Sequence, residues 1–337
     1  MNLKYIKHII DGVGFDKLKM CIDEVHEKSG KNKAAIFFDM ASCAVRYGAG
    51  YYDYLEFEFQ NVPSKERKNF MTRMKNKKMV LMLNDPAYSD IFDKKNQFYT
   101  HFRDFLGRDF LDLEKADIHD IRKFVEGKEY IIAKPNDGEG GHGIEKIKIS
   151  DFENFNTLYA YLTSKEKGFG VIEEVLVQHP EMSRIYPYSV NCYRLVTLLH
   201  EGEVHLLYAM FKTGNNGSFV DNSCSGGYAA HFDPETGLVC GPGHDIDRVI
   251  VKAHPMTGVE FEGFRPPCSK EAIELVKKAA LVVPQVKYIG WDVCVTENGP
   301  AIIEGNNYAA YDLAQLPDEG KPQVGMLKQV RDIGLKL

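Results

Sequence analysis

No C-x-x-C pair occurs among the seven cysteines, Cys21, Cys43, Cys192, Cys224, Cys240, Cys268 and Cys294, and their number is odd. That removes the spacing expected of a structural zinc or a dithiol redox centre, and it fits reduced thiols better than a disulfide framework. Long apolar runs are missing as well. No stretch approaches the ~18 uninterrupted apolar residues of a bilayer-crossing helix, so no membrane span is expected. The opening MNLKYIKHIIDGVGF carries two early lysines, yet His8 and Asp11 break its apolar run and no small-residue cleavage site follows. A cytoplasmic location fits that pattern. Charge of one sign is not in excess either. The 42 basic and 48 acidic residues are interspersed and leave a formal net charge of -6, so no basic face marks a nucleic-acid partner. Even the densest basic cluster, Lys65, Arg67, Lys68, Arg73, Lys75, Lys77 and Lys78, reads as a solvated helix. Neither a fixed-period repeat nor a low-complexity tract is present.

What is present is a chain of 337 residues with 44% hydrophobic content, enough for a sizeable core in about two domains or one elaborated unit. Residues 1–116 read as mainly helical, with Leu18, Ile22 and Val25, then Ile36, Met40 and Val45, at helical spacing. The aromatic segment YYDYLEFEFQNVP is open between helix and strand, because Leu55, Phe57 and Phe59 alternate with acids. Aromatics this dense more often serve core packing than a ligand cage, which outranks a polysaccharide-binding module built around Tyr51. Residues 117–172 read as strand, glycine loop and strand in YIIAKPNDGEGGHGIEKIKI, followed by a helix with Asp151 as N-cap and Gly168 near its end. From 173 to 337 the apolar runs of NCYRLVTLLHEGEVHLLYAMF flank a turn at Glu201-Gly202-Glu203. Those of GWDVCVTENGPAIIEGNN flank Asn298-Gly299-Pro300. Two antiparallel hairpins are predicted, separated by a loop-rich stretch over residues 213–267 and a helix over 269–283. The fold class is α+β.

Gly138, Gly140 and Gly143 satisfy G-x-G-x-x-G, but a dinucleotide fingerprint must open a helix and IEKIKIS is β-like. A P-loop is excluded too, since the G-K-[ST] ending is missing. Two readings stay open at this point: a flap whose backbone N–H groups close over phosphates, and an ordinary glycine-rich hairpin. Lys134, at the end of an apolar strand before Pro135, is placed either to reach phosphates or to guard a sheet edge. VIEEVLV, Val171 to Val177, suits an extended connector pairing with a purine edge; alternating charges on a strand face are the plain alternative. Asp292, Glu304 and Asn306 fall on the two arms of one hairpin, with Glu304 and Asn306 on the same face. Together they offer the hard oxygen ligands that Mg²⁺ prefers.

The order IIAKP, glycine flap, IEEVLV, NCYRLVTL, GWDV, IIEGN resembles the ATP-grasp superfamily, and its wording is similar to the sugar-transfer-associated branch, from about Phe37 through NDPAYSDIFDKKNQF to Asp312. The resemblance implies an ATP-grasp fold of two α+β subdomains clamping ATP. Residues 117–172 would be the lid subdomain with the glycine flap, and residues 173–337 the subdomain holding the metal and acceptor site. Typical members begin with a parallel α/β domain, so the helical first part is a departure. Residue by residue, the resemblance implies Lys95 (with Lys94 the adjacent register) and Lys134 as ATP lysines, and Gly138, Gly140, Gly141, His142 and Gly143 as the phosphate flap. A solvated loop histidine is the competing reading of His142. Glu173 would orient nearby groups, Glu174, Val175 and Leu176 would form the adenine hinge through the Glu174 carbonyl and Leu176 N–H, and Gln178 or Glu181 would hold the ribose. Arg194 would face the γ-phosphate with Asn191 in support, and Lys212 would meet the same anion unless it is an ordinary surface lysine. Asp292, Glu304 and Asn306 would hold Mg²⁺.

The implied activity is an ATP-dependent carboxylate–amine ligase working through an acyl phosphate on small-molecule, sugar-linked substrates in cell-surface polysaccharide biosynthesis. Its competitors are a kinase on the same fold, with Asp221 or His231 as base, and a non-catalytic ATP-binding protein. Asn222, Gly226 and Gly227 mark the expected acceptor loop, and a homodimer is left open.

Overall fold

A computed structural model of the chain describes residues 14–138, 141–219, 225–318 and 324–336. Gly140, Asp221 and Asn222, singled out above, lie outside the described residues, as does most of the opening segment. The chain divides into two compact units, Met1–Met79 with Ala310–Leu337, and Val80–Ala309.

The first unit is helical where described. Asn32 caps the helix Lys33–Tyr47 by accepting the N–H groups of Ala34 and Ala35, and Gly48, in the left-handed region at φ 65°, ends it. Its buried stripe is Ile36, Met40 and Cys43. Val45 is 67% exposed, because nine residues past Ile36 is half a turn off that face. The aromatic segment resolves as a helix, Tyr51–Glu56, followed by turns. Asp53 decides this locally: its carboxylate accepts the N–H of Gly50 at 2.8 Å and that of Arg73 at 2.9 Å. Tyr54, Leu55, Phe57, Phe59 and Phe70 then fill the core against Cys21, Val25 and Met40. Gln315 ties the end of the chain into this unit. Its amide donates to the Met71 carbonyl at 3.0 Å and accepts from the N–H groups of Met71 and Met326 at 2.8 and 3.1 Å. The described residues beyond Ala309 thus belong with the helical unit, whereas the sequence reading grouped them with 173–309.

The second unit holds two antiparallel sheets. The small one has strands β1 (Phe110–Asp112), β2 (Tyr130–Pro135), β3 (Glu145–Lys148) and β4 (Phe169–Glu174) in the order β1-β4-β2-β3. The expected break near residue 172 therefore falls inside β4, which pairs with both β1 and β2. The helix between β3 and β4 runs Phe155–Leu162, and Asn154 caps it. Asp151 closes a short 3-10 turn instead, three residues too early to reach the first helical N–H groups.

The large sheet has β5 (Cys192–His200), β6 (Glu203–Thr213), β7 (Tyr228–Asp233), β8 (Leu238–Val239), β9 (Gly243–His244), β10 (Ile250–Val251), β11 (Tyr288–Thr296) and β12 (Gly299–Asn306). Its order is β10-β9-β7-β6-β5-β11-β12, with β8 beside β7. Both expected hairpins are present. Glu201 and Gly202 take φ 49° and 85° to turn β5 into β6, the backbone a two-residue hairpin requires. Four strands, β7 to β10, form within the stretch expected to be mostly loop; β8, β9 and β10 are only two residues long, too short to show alternation. The helix Ser269–Ala279 buries Ala272, Val276 and Ala279, and stops short of residue 283. Trp291 centres the core. It is fully buried, its ring lies 5.5 Å from that of Phe102 and 6.3 Å from that of Phe92, and its Nε1 donates to Thr197 Oγ1 at 2.8 Å. Trp291→Ala should therefore lower the unfolding free energy of this unit by about 3–5 kcal/mol in equilibrium urea denaturation.

Candidate functional site

Lys134 is the last regular position of β2, where it opposes Val171 of β4 before the register breaks at Pro135. Its ammonium is buried. It pairs with Glu173 Oε1 at 2.6 Å and donates to the Tyr99 hydroxyl at 2.9 Å. Glu173 Oε2 accepts Arg108 Nε at 2.9 Å, and Arg108 also donates to the carbonyls of Leu106 and Ile302 and to the Tyr99 hydroxyl. Ile302 is on β12, so Arg108 links the small sheet to the large one. Burial works against each of these charges. For Lys134 the field of Glu173 outweighs it and the net shift is upward. For Glu173 the opposing pull of Arg108 and Lys134 wins, and its carboxyl is held down to about 2.

A second ionic row crosses the large sheet. Arg194 on β5 stands opposite Asp292 on β11, which stands opposite Glu304 on β12. Cross-strand partners share a face, and Lys212, two residues past the partner of Arg194 on β6, shares it too. Arg194 grips Asp292 with two N–H groups, one of them 2.9 Å from Oδ2, and Lys212 reaches the same oxygen at 3.1 Å. Burial alone would raise the carboxyl, but these two cations hold Asp292 well below the usual carboxylate range. Lys212 is buried, so the surface-lysine reading fails.

Between the sheets lies a cavity of ≈ 370 Å³. Ile132, Ile144, Val175, Leu176 and Ile303 supply its apolar lining, and Lys134, Lys146, Glu173, Lys212, Asp292 and Glu304 its charges. Gly141 also lines it. Gly141 and Gly143 take φ 79° and 73°, and a Cβ on Gly143 would stand 2.7 Å from Pro135 Cγ, so both positions need glycine. Lys95 opens the helix Lys95–His101 and donates to the Gly138 carbonyl at 2.9 Å, whereas Lys94 turns to Asp90. Burial, reinforced by Lys134, lowers the Lys95 pKa against the pull of Glu304.

Other expected site residues are placed differently. His142 is exposed and off the cavity wall. The Glu174 carboxylate, which the hinge expectation does not use, is engaged by the Asp109 N–H at 3.0 Å and by Lys128 at 3.2 Å. Glu181 is paired with Arg184 away from the cavity. Gln178 lines the cavity, but its amide donates to the Tyr186 carbonyl and accepts the backbone and side-chain N–H groups of Asn191. Asn191 itself holds Met182, Tyr186 and Thr213 in a buried network, and any support it gives Arg194 passes through β5 rather than through contact. Asp292 has both oxygens committed to cations, which leaves Glu304 and the Asn306 amide, 3.4 Å apart through Nδ2, as the oxygen donors nearest to hand. Among the described residues no three of His, Cys, Asp and Glu form a metal cluster. That set suits an ion such as Mg²⁺, which uses one or two protein carboxylates and completes its shell with phosphates and water.

Sequence reasoning missed Arg108, Tyr99 and Lys146. Arg108 sits in LGRDF, which has no motif spacing, and its partner Glu173 is 65 residues away.

A family model described as sugar-transfer associated ATP-grasp matches residues 74–331. No curated protein matches the chain. Similar solved structures include the ATP-grasp ligase PsnB complexed with a minimal precursor (16% identity, 74% of this chain and 62% of that one, TM-score 0.43). Another is the ADP complex of purK, an N5-carboxyaminoimidazole ribonucleotide synthetase (8%, 73% and 52%, TM-score 0.45). A third is a D-alanine-D-alanine ligase from Helicobacter pylori (14%, 72% and 57%, TM-score 0.37). The chain thus spans less than two thirds of the length of each.

The Glu173 cluster yields a stability prediction. Glu173 titrates near 2 folded against an ordinary 4.5, so its contribution is complete above pH 4.5 and is lost as pH falls toward 2, about 3 kcal/mol in all. Glu173→Gln should cost about 3–5 kcal/mol at pH 7 by leaving two buried cations poorly paired. Denaturation of that variant at pH 5 and pH 3 should show a correspondingly shallower acid loss than the wild type.

Proposed function

This chain belongs to the sugar-transfer associated ATP-grasp family, and from that premise we propose that it is an ATP-dependent ligase joining a carboxylate to an amine through an acyl phosphate. One observation carries the reading: Lys134 of the small sheet and Lys212, Asp292 and Glu304 of the large sheet line a single cavity that also has an apolar wall. A purine fits against Ile132, Val175 and Ile303, with its polar edge at the Glu174 carbonyl and Leu176 N–H. The phosphates then extend toward Lys134 and Lys95, under the N–H groups of Gly141 and Gly143. Glu304 and Asn306 would hold Mg²⁺, with Asp292 behind them. Bound there, the ion would supply positive charge to the phosphate oxygens.

The chain's own residues deal with like charges. A carboxylate oxygen attacking the γ-phosphorus meets an anion, and Arg194 and Lys212, which share Asp292 between them, carry one net positive charge beside that path. The new O–P bond replaces the bond to ADP. An uncharged amine then attacks the acyl carbon, inorganic phosphate leaves, and the amine's proton passes to solvent or phosphate. A closed glycine flap would keep water from the acyl phosphate. The family description supports a sugar-linked acid or amine, in polysaccharide or sugar-conjugate synthesis.

One observation favours a kinase instead. His231 on β7 opposes Met210, which opposes Arg194, so an imidazole shares the ionic face and offers a base for a hydroxyl. Hydroxylamine separates the two readings. With the true acid and ATP, a ligase yields a hydroxamate, and Arg194→Ala should lower that yield by about a hundredfold or more. Stable phosphorylation of a substrate hydroxyl with no hydroxamate would replace the ligase with the kinase.

A further inference from the structure

Glu114 lies outside every motif above, yet it joins the segment that carries Lys134, a lysine of the cavity wall, to the one that carries Lys95. Its Oε1 accepts Asn136 Nδ2 at 3.0 Å and its Oε2 accepts Asn96 Nδ2 at 3.0 Å. Asn136 is two residues past Lys134, and Asn96 is one past Lys95. The two segments are also stitched directly: the Lys95 N–H donates to the Asn136 carbonyl and the Asn96 N–H to Asn136 Oδ1, each at 3.0 Å. Glu114 is itself fixed at the end of β1, where its N–H donates to Asp112 Oδ1 at 3.0 Å. An independent feature points to the same spot. A Cβ on Gly170 would stand 2.5 Å from Asn136 Cβ and 2.9 Å from its Cα and N, so β4 is bare where Asn136 crosses it.

We propose that Glu114 is a positioning residue that sets Lys95 and Lys134 at a fixed separation for the phosphates of a nucleotide, with Gly170 giving Asn136 the room to be held. This rests on the nucleotide reading of the cavity. The chemistry requires a carboxylate: both amides present N–H groups, so both oxygens at position 114 must accept. Glutamine keeps the shape and turns one acceptor into a donor facing a donor.

The test uses the full chain. Glu114→Gln should weaken ATP binding about fivefold by calorimetry while leaving adenosine, which has no phosphates, within about twofold. Adding Asn136→Asp gives the glutamine amide an acceptor again and should restore most of the loss. Gly170→Ala should mimic Glu114→Gln. Independently of nucleotide, the Lys95 and Asn96 amides should exchange hydrogen faster in Glu114→Gln than in the wild type. Wild-type exchange at those amides, unchanged ATP affinity, or equal weakening of ATP and adenosine would each overturn the positioning role. A wild type that binds no ATP, with exchange altered as expected, would overturn the nucleotide reading and leave the clamp standing.

Discussion

Glu173 is the constraint on which the cavity depends. A carboxylate this buried is costly unless its charge is answered, and it is answered twice, by Lys134 from its own sheet and by Arg108. Arg108 in turn directs its remaining donors to Tyr99, to the Leu106 carbonyl and to the Ile302 carbonyl of β12. One acid therefore fixes the height of Lys134 above the small sheet and the placement of that sheet against the large one. The cluster carries one net positive charge, which burial leaves unscreened at the wall of the cavity.

The opposite wall repeats the arrangement with a different carboxylate. Asp292 is gripped by Arg194 and Lys212 and again leaves one positive charge in excess. Two cationic clusters facing one cavity would repel each other in an empty site. A polyanion such as a triphosphate relieves that repulsion, and Glu304, exposed at the edge of the same row, moderates it. The apolar lining between the walls has no use for phosphate, which is why a ligand with one flat apolar end and one anionic end suits the whole space.

Much of this was legible in the sequence where spacing along one segment carries the information. The strand before Pro135, the positive-φ glycines Gly138, Gly141 and Gly143, and the hairpin that sets Asp292 opposite Glu304 are local patterns, and the structure has them in place. Helix or strand at Tyr51–Glu56 was undecidable because the alternation of Leu55, Phe57 and Phe59 with acids read as strand inside a region that otherwise read as helix, and Asp53 settles it by holding the N–H groups of Gly50 and Arg73. Val45 was misplaced by treating a nine-residue interval as helical repeat. Glu181 was carried by resemblance alone and does not line the cavity, and exposed His142 fits the solvated loop histidine that its place in the glycine loop also allowed. Arg108 and Glu114 were invisible because their meaning lies in partners far along the chain, joined only by the pairing of β1, β2 and β4.

The central claim is that the space between the sheets receives the phosphates of Mg-ATP through Lys134. Calorimetric titration of Mg-ATP into the wild type and into Lys134→Met, with the fold of the variant checked by circular dichroism, tests it most directly, since Glu173 keeps Arg108 as a partner. The account predicts saturable binding to the wild type and at least about tenfold weaker binding to the variant, from the loss of a charge-assisted phosphate contact. Equal binding by both proteins, or no binding by the wild type, would contradict it.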